Sequence, residues 1–286
     1  MLKQFMVLLT LLFSVSTSAE ILKAFGSGNN TFFSFDPNTA DLTLIKNQGY
    51  YAMDFAPDGS LYAVDRAENS FYQLAEDGSR THLTDVGYDD WGGGFTVSND
   101  GQYAYWSNRA SLSDNSSLLY RMNLSGGPVE SLGAINGILG VSDIEFGYDG
   151  TLYAMSGMNV SPDGALYSID LNTMLGTKVS LDYLGLKDYL GRDVGSNTLI
   201  TSLNATAGGM NMLVKPENDP NRSYYMGTID LETGEGSFDY SKRVTLNGGS
   251  YTAGIDVAFL TPVPVPAAAW LFGSALIGLV GAKRKK

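Results

Sequence analysis

The chain alternates short runs of apolar residues with polar turns, and the clearest unit is a pair of such runs around an Asp-Gly dipeptide. This unit covers residues 53–64 and 144–155, with a looser copy at 95–105. Asp-Gly between two alternating apolar runs is the strongest short signal of a β-hairpin, because both turn residues tolerate a positive φ. The pattern therefore predicts three hairpins built alike.

A second motif, one strand ending in a polar turn, follows these units along the chain. Its five copies are 32–36, 71–75, 119–123, 166–170 and 226–230. Asp36, Asp170 and Asp230 end three of the copies and are each followed three residues later by Thr. Such an Asp accepts backbone N–H bonds in a type I turn. A further strand is predicted after the turn, for example at 42–45 and 178–181.

Four strands in each unit of roughly 40–45 residues are typical of a β-propeller blade, so five copies predict five blades. The first copy lacks a hairpin before it. We expect the missing strand at 255–260, pairing with 21–25, which would close the ring with strands from both ends of the chain. The fourth unit is degenerate, with a first hairpin expected near 193–200 and an insertion at 216–222. A two-sheet β-sandwich is the alternative fold.

Composition supports an ordinary packed domain that does not bind nucleic acid. Of the 286 residues, 44% are hydrophobic, and the formal net charge is −12. Five of the 18 basic residues lie in the first and last few positions, so the middle is more acidic still. Such a surface repels phosphate backbones. It suits a soluble secreted domain or one that binds cations.

The counts of Cys and His exclude several kinds of chemistry. The chain has no Cys, which excludes disulfides, thiolate metal sites and thiol nucleophiles. Its single His, His82, excludes sites with several His ligands and disfavours a Ser–His–Asp triad. We expect His82 to be an exposed strand residue.

The N-terminus has the features of a secretory signal peptide. Lys3 precedes an apolar run over 6–15, and small residues lead to a plausible cleavage site after Ala19. An N-terminal anchor helix is the alternative, but the apolar run is short for one. Residues 1–19 are therefore predicted to be removed during export.

The C-terminus combines a proline segment, an apolar helix and a basic end. The proline segment consists of Val263, Pro264, Val265, Pro266 and Ala267. Its prolines disfavour regular structure and predict an extended, accessible strand. Residues 267–282 are apolar, and the basic cluster 283–286 should stay cytoplasmic. A plain tail anchor is the alternative, although the span is short.

This tail resembles the PEP-CTERM sorting signals of Gram-negative bacteria, and among them the VPLPA-CTERM variant. It differs in that Val265 replaces Leu and no Glu lies between the prolines. The resemblance implies recognition by an exosortase, a membrane protease that cleaves near the proline motif, in bacteria that make biofilm and exopolysaccharide. The predicted organisation is a signal peptide (1–19), a β-propeller-like domain (20–261) and a sorting signal with a transmembrane helix (262–286).

Three acidic residues are candidates for a site in the middle of the propeller. First strands of blades line the central channel. Asp54, Glu145 and Asp256 are predicted to occupy matching places in three first strands. Converging carboxylates can bind a cation or act as acid and base in glycoside cleavage. The structural alternative is that each satisfies the same backbone groups in its own blade.

A second candidate is the acidic and aromatic stretch Tyr88, Asp89, Asp90 and Trp91, which precedes three glycines. Aromatic rings beside carboxylates suit the stacking and hydrogen bonding of a sugar. The alternative is a loop between blades.

The sequence therefore predicts an exported protein of the cell envelope or extracellular matrix, without enzymatic activity, that binds a ligand or has a structural role. A secreted glycoside hydrolase on the same scaffold is the alternative, and a cation- or glycan-binding module is a third hypothesis. The partners implied are the exosortase and an exopolysaccharide. No catalytic residue or cofactor is assigned. The sequence does not support a Ca²⁺ site, because residues 36–41 lack the Gly and terminal Glu of an EF-hand loop.

Overall fold

The computed structural model of the chain shows a β-propeller with five blades. It describes residues 23–28, 30–65, 67–86, 91–108, 117–156, 163–188, 190–195, 198–206, 209–217 and 219–261. The predicted signal peptide and sorting signal lie outside these ranges. Within them, no helix has the length and hydropathy needed to cross a bilayer.

Blades 2 to 5 are antiparallel sheets of four consecutive strands each. Blade 2 comprises β4 (Ala52–Phe55), β5 (Leu61–Asp65), β6 (Ser70–Leu74) and β7 (Arg80–Asp85). Blade 3 comprises β8 (Trp91–Val97), β9 (Tyr103–Asn108), β10 (Ser117–Asn123) and β11 (Glu130–Ile135). Blade 4 comprises β12 (Val141–Phe146), β13 (Leu152–Ser156), β14 (Leu166–Asp170) and β15 (Leu175–Lys178). Blade 5 comprises β16 (Leu199–Thr206), β17 (Gly209–Lys215), β18 (Tyr225–Asp230) and β19 (Gly236–Arg243).

Blade 1 joins the two ends of the described chain. It comprises β1 (Lys23–Gly28), β2 (Thr31–Asp36), β3 (Asp41–Lys46) and the last strand, β22 (Asp256–Leu260). β22 is innermost and pairs antiparallel with β1, with Lys23 opposite Leu260. The predicted closure is therefore confirmed, and the β-sandwich alternative is wrong. A small hairpin, β20 (Thr245–Leu246) and β21 (Gly249–Ser250), extends the outer edge of this blade.

The predicted Asp-Gly hairpins are present, and their turns show why that sequence is needed. In the blade 2 turn, Gly59 has φ +87°, and its N–H donates to the carbonyl of Ala56. The Asp58 carboxylate accepts the backbone N–H of Ser60 at 2.9 Å. The Asp therefore orders the turn while Gly supplies the left-handed conformation that L side chains rarely adopt.

The predictions for the fourth unit were half right. The stretch 216–222 does join β17 to β18 as an insertion. The prediction of a first hairpin at 193–200 is wrong, because that hairpin is made by β16 and β17. Residues upstream instead form a 3-10 helix (Asp182–Gly185) and an isolated bridge between Lys187 and Asp193.

The hydrophobic core is distributed among the junctions between neighbouring blades. Five buried clusters occur among the described residues, one for each junction. Between blades 1 and 2, for example, Phe25 and Phe32 stack and pack with Met53 and Tyr72. Because alternate residues of a strand face opposite sides of a sheet, each blade contributes to two clusters. The packing holds the five innermost strands, β4, β8, β12, β16 and β22, around a central channel.

Candidate functional site

The central channel is lined by two layers of side chains from the innermost strands. Residues two apart on a strand point to the same face, so each strand supplies one residue to each layer. The strand-start layer comprises Ala52, Gly94, Asp143, Ser202 and Asp256. The strand-end layer comprises Asp54, Thr96, Glu145, Asn204 and Ala258. The turns after three of the inner strands fix this alignment. In each of them, the backbone N–H that closes the turn lies two residues after the residue of the strand-end layer: Ala56 after Asp54, Ser98 after Thr96 and Gly147 after Glu145.

Polar side chains of the strand-end layer each contact a backbone N–H of the next strand around the ring. Asp54 accepts the N–H of Val97 at 2.7 Å, and Glu145 accepts that of Ala205 at 3.0 Å. The amide oxygen of Asn204 accepts the N–H of Phe259 at 2.8 Å. The hydroxyl of Thr96 lies 3.4 Å from the nitrogen of Phe146, a weaker contact of the same kind.

Asp256, Asp143 and Ser202 repeat this arrangement in the strand-start layer. Asp256 accepts the N–H of Met53 at 2.8 Å, and Asp143 accepts that of Leu203 at 2.6 Å. Ser202 accepts the N–H of Val257 at 3.1 Å. Inner strands of neighbouring blades are not paired as sheets, so these side chains satisfy backbone groups that would otherwise be buried without partners.

Ala52, Gly94 and Ala258 have no polar side chain, and neighbouring acids compensate for Gly94 and Ala258. Next to Ala258, the N–H of Phe55 donates to the carboxylate of the preceding residue, Asp54, at 2.7 Å. Next to Gly94, the N–H of Ile144 donates in the same way to the carboxylate of Asp143, at 2.9 Å. Asp54 and Asp143 therefore each accept two backbone N–H groups.

The prediction that Asp54, Glu145 and Asp256 occupy matching places is wrong for Asp256. Asp54 and Glu145 do share the strand-end layer, but Asp256 lies one layer away, level with Asp143 and Ala52. The physical reason is that β22 is not followed by an Asp-Gly turn, so the sequence contains nothing that fixes its register. All three acids nevertheless face the channel.

Burial shifts the protonation of all four channel acids in the same direction. Asp54, Asp143 and Glu145 are at most 7% exposed. Burial raises the pKa of Asp54 to about 7 and that of Asp256 to about 6, and backbone N–H bonds partly oppose both shifts. Burial also raises the pKa values of Asp143 and Glu145 well above their ordinary range. Lys, Arg and His are absent from the buried polar residues of the described chain, so the acids have no neighbouring cation to offset this.

The channel opens at one end and is nearly filled at the other. A cavity of about 300 Å³ lies at the strand-start mouth and contacts all five residues of that layer. Three tyrosines, Tyr50, Tyr51 and Tyr224, also line it. The strand-end mouth holds a cavity of only about 50 Å³, beside Asp54, Glu145 and the last described residue, Thr261.

Other predicted site residues lie away from the channel or outside the described ranges. Tyr88, Asp89, Asp90 and the motif 263–267 fall outside, while Trp91 begins β8 opposite Asn108. His82 is half-exposed in β7, as predicted, and contacts Asp85 at 2.8 Å. Within the described ranges, no three acidic or His side chains are arranged to hold a metal ion.

Sequence reasoning missed Asp143, Thr96, Ser202 and Asn204. Asp143 had a signal, since it lies two residues before Glu145 on the same strand and must share its face. Thr96 had one as well, at the place in the looser hairpin copy that Asp54 occupies in the first. Ser202 and Asn204 had none, because β16 contains a bulge between Thr201 and Asn204 that obscures the alternation.

Comparisons with known proteins add a likeness of fold. No family model matches the chain, and no curated protein matches it. Among solved structures, TolB from Acinetobacter baumannii superposes with a TM-score of 0.51 at 14% identity, covering 81% of this chain and 55% of that one. A nidogen/laminin complex gives 0.49 at 12% identity, covering 84% and 98%. Virginiamycin B lyase from Staphylococcus aureus gives 0.43 at 12% identity, covering 73% and 62%. The chain thus spans about half the length of the TolB chain, and at this identity the likeness concerns the fold alone.

Proposed function

We propose that this chain is an exported module of the cell envelope or extracellular matrix that binds a ligand or supports structure without catalysing a reaction. The observation that carries the proposal is that every channel acid accepts a backbone N–H of the adjacent blade. A catalytic acid or base needs an oxygen free to reach a reacting atom. These carboxyl groups instead hold the ring of blades together.

The ligand surface in this proposal is the strand-start mouth. Its cavity of about 300 Å³ lies at the lower end of the volumes of small-molecule sites and combines hydroxyls, carboxyls and tyrosine rings. Hydroxyl groups of a neutral sugar would suit such a lining, because the acidic surface repels anionic chains. An exopolysaccharide is therefore the partner class that we propose.

The test combines a stability measurement with a screen on polysaccharides. We expect Asp54→Asn and Glu145→Gln to shift the melting temperature, and neither the wild-type chain nor the variants to release reducing ends. Asp58→Asn is the control, because it also removes a carboxylate, but the exposed Asp58 accepts only the backbone N–H of Ser60 within its own turn. Hydrolysis by the wild-type chain that a variant loses without any change in melting would contradict the proposal.

A glycoside hydrolase is the second candidate, favoured by one observation. Asp143 and Asp256 line the same open cavity, and burial raises the pKa of both, as a general acid requires. If this candidate were correct, Asp143→Asn and Asp256→Asn would abolish hydrolysis while retaining sugar binding. Binding without turnover in all forms supports the non-catalytic module.

We further propose that an exosortase-type membrane protease sorts the chain through its C-terminal tail. The order of proline motif, apolar helix and basic end supports this, as does the predicted signal peptide. The place where the tail leaves the domain also suits it. Thr261 lies at the strand-end mouth, where its hydroxyl donates to the carbonyl of Ala205 at 3.2 Å. The described chain therefore ends at this mouth of the propeller, directly after β22.

Replacing the two motif prolines tests this proposal. Pro264→Ala together with Pro266→Ala should trap a full-length form in the inner membrane, because the protease cleft no longer finds an extended segment. Pro128→Ala, in an exposed loop of the propeller, is the matched control and should be processed normally. Blots of inner-membrane and surface fractions give the readout. Normal processing of the double variant would contradict sorting through the motif.

A further inference from the structure

The hydroxyl of Thr96 lies between two carboxyl groups from different blades. Its Oγ1 atom is 3.1 Å from Oδ2 of Asp54 in blade 2 and 2.9 Å from Oε2 of Glu145 in blade 4. Thr96 itself is fully buried in blade 3. A hydroxyl has one proton to donate, so it cannot donate to both carboxyl oxygens. If both acids were ionised, one of these contacts would bring two lone pairs together without a proton.

The other contacts of the two acids decide which one holds the additional proton. Both oxygens of Asp54 accept backbone N–H groups, from Phe55 and Val97, each at 2.7 Å. Glu145 accepts one such group, from Ala205, on Oε1. Its Oε2 accepts no backbone N–H among the described residues. Hydrogen bonds to an ionised carboxylate favour ionisation, so Asp54 loses its proton first as pH rises and Glu145 keeps the remaining one.

We infer that Asp54 and Glu145 share one proton through Thr96, and that this proton links blades 2, 3 and 4 across the channel. Glu145 donates from Oε2 to the Thr96 hydroxyl, and Thr96 donates in turn to Oδ2 of Asp54. No bond other than these hydrogen bonds forms. When pH rises, the proton leaves Glu145 for solvent and two carboxylates face one hydroxyl.

The surroundings contain acids and no cation to stabilise that second charge. β4 contributes Asp54, β12 contributes Asp143 beside Glu145, and β22 contributes Asp256. β16 faces the pair with the neutral Asn204, and β8 with Thr96. The hydroxyl of Tyr148 lies beyond the end of β12. None of the ion pairs in the described residues involves the four acids.

The shared proton makes folding depend on pH with a defined sign. Burial, and then the charge of Asp54, raises the pKa of Glu145 well above its ordinary value, while the unfolded chain keeps a value near ~4.3. The folded state therefore binds a proton that the unfolded state releases. The stability due to this proton is complete below about pH 4 and is lost as pH rises through the folded pKa. One proton corresponds to about a tenfold change in the unfolding constant per pH unit.

The experiment measures urea unfolding of the exported protein between pH 5 and pH 7. In Glu145→Gln the side chain can still donate to Thr96 but cannot ionise. For each pH unit, the unfolding constant of this variant should therefore rise about tenfold less than that of the wild-type chain. Thr96→Ser retains the hydroxyl and should keep the wild-type slope, whereas Thr96→Val should change it. Glu232→Gln, at an exposed turn, is the control and should leave the slope unchanged.

A titration of the wild-type chain decides the question even if a variant fails to fold. We expect the ¹³C resonance of the Glu145 side-chain carboxyl to titrate well above the pH range of an ordinary glutamate, because burial and the charge of Asp54 raise its pKa. A carboxyl that titrates near ~4.3, the ordinary glutamate value, would overturn the inference. So would a Glu145→Gln variant with the same slope as the wild-type chain, or a Thr96→Ser variant that behaves like Thr96→Val.

Discussion

The carboxylate of Asp256 accepts the backbone N–H of Met53 at 2.8 Å, across 203 positions of the chain. This contact joins the last strand of blade 1 to the first strand of blade 2, while β22 also pairs with β1 on its other side. Closure of the ring therefore depends on a strand that lies directly before the tail. Folding must bring together residues far apart in sequence, which generally makes it slow.

Asn204→Ala should destabilise the propeller by about 2 kcal/mol or more. The substitution leaves the buried N–H of Phe259 and the carbonyl of Val257 without their partner, and each unsatisfied group costs roughly 1–3 kcal/mol. Hydrogen exchange at Phe259 should accelerate in parallel. Asn38→Ala is the control, since in that exposed turn the backbone of Asn38 makes the contact. Equal melting of the two variants would show that the link between blades 5 and 1 is not important for stability.

Gly94→Ala should destabilise the chain by roughly 1–3 kcal/mol, as overpacking does, or prevent folding. A Cβ atom there would lie 2.1 Å from the nitrogen of Ile144 and 2.2 Å from Oδ1 of Asp143, so backbone would have to move. At Gly254 the same atom would meet nothing within 4 Å, which makes Gly254→Ala the matched control. The thermal melts of the two variants give the comparison. A Gly94→Ala variant as stable as the control would mean that blades 3 and 4 are not so closely packed.

The turn acids should give the protein a second, opposite dependence on pH. Hydrogen bonds from the turn lower the pKa of Asp170, chiefly from the N–H of Asn172, and that of Asp100, chiefly from Ser98. A lowered folded pKa contributes stability that is present above the unfolded value, near ~3.9, and lost as pH falls through the folded value. Below pH 4 the channel acids are protonated in both states, so the turn acids dominate. Melts between pH 2 and pH 4 should therefore fall toward acid, and less steeply in Asp170→Asn.

The blades were predictable because the same physical solution is repeated in local sequence. Each Asp-Gly turn fixes the register of the hairpin around it, as the turn at Asp58 and Gly59 shows. The alternation of apolar residues then assigns their faces. Closure by 255–260 was predictable for a related reason, since a strand left over at one end must pair with the strand left over at the other to avoid an exposed edge.

The channel was less predictable because its contacts join strands that are far apart in sequence. Asp256 was assigned to the wrong layer since no turn follows β22. Asn204 and Ser202 perform the same task as Asp54 and Asp143 with different side chains, so no repeated residue type marks them. Ser202 also adopts φ +57° at the bulge in β16, which lets its hydroxyl reach Val257. That conformation follows from packing around the ring and has no local sequence signal.

The intact mass of the protein recovered from the cell surface tests the central proposal, a sorted and exported propeller, most directly. We expect a mass that lacks residues 1–19 and everything from within 263–267 onward, because the signal peptidase and the exosortase each remove one end. The propeller between them, 23–261, should be intact. A surface protein whose mass still includes Lys286 would contradict sorting and leave a simple tail anchor in its place.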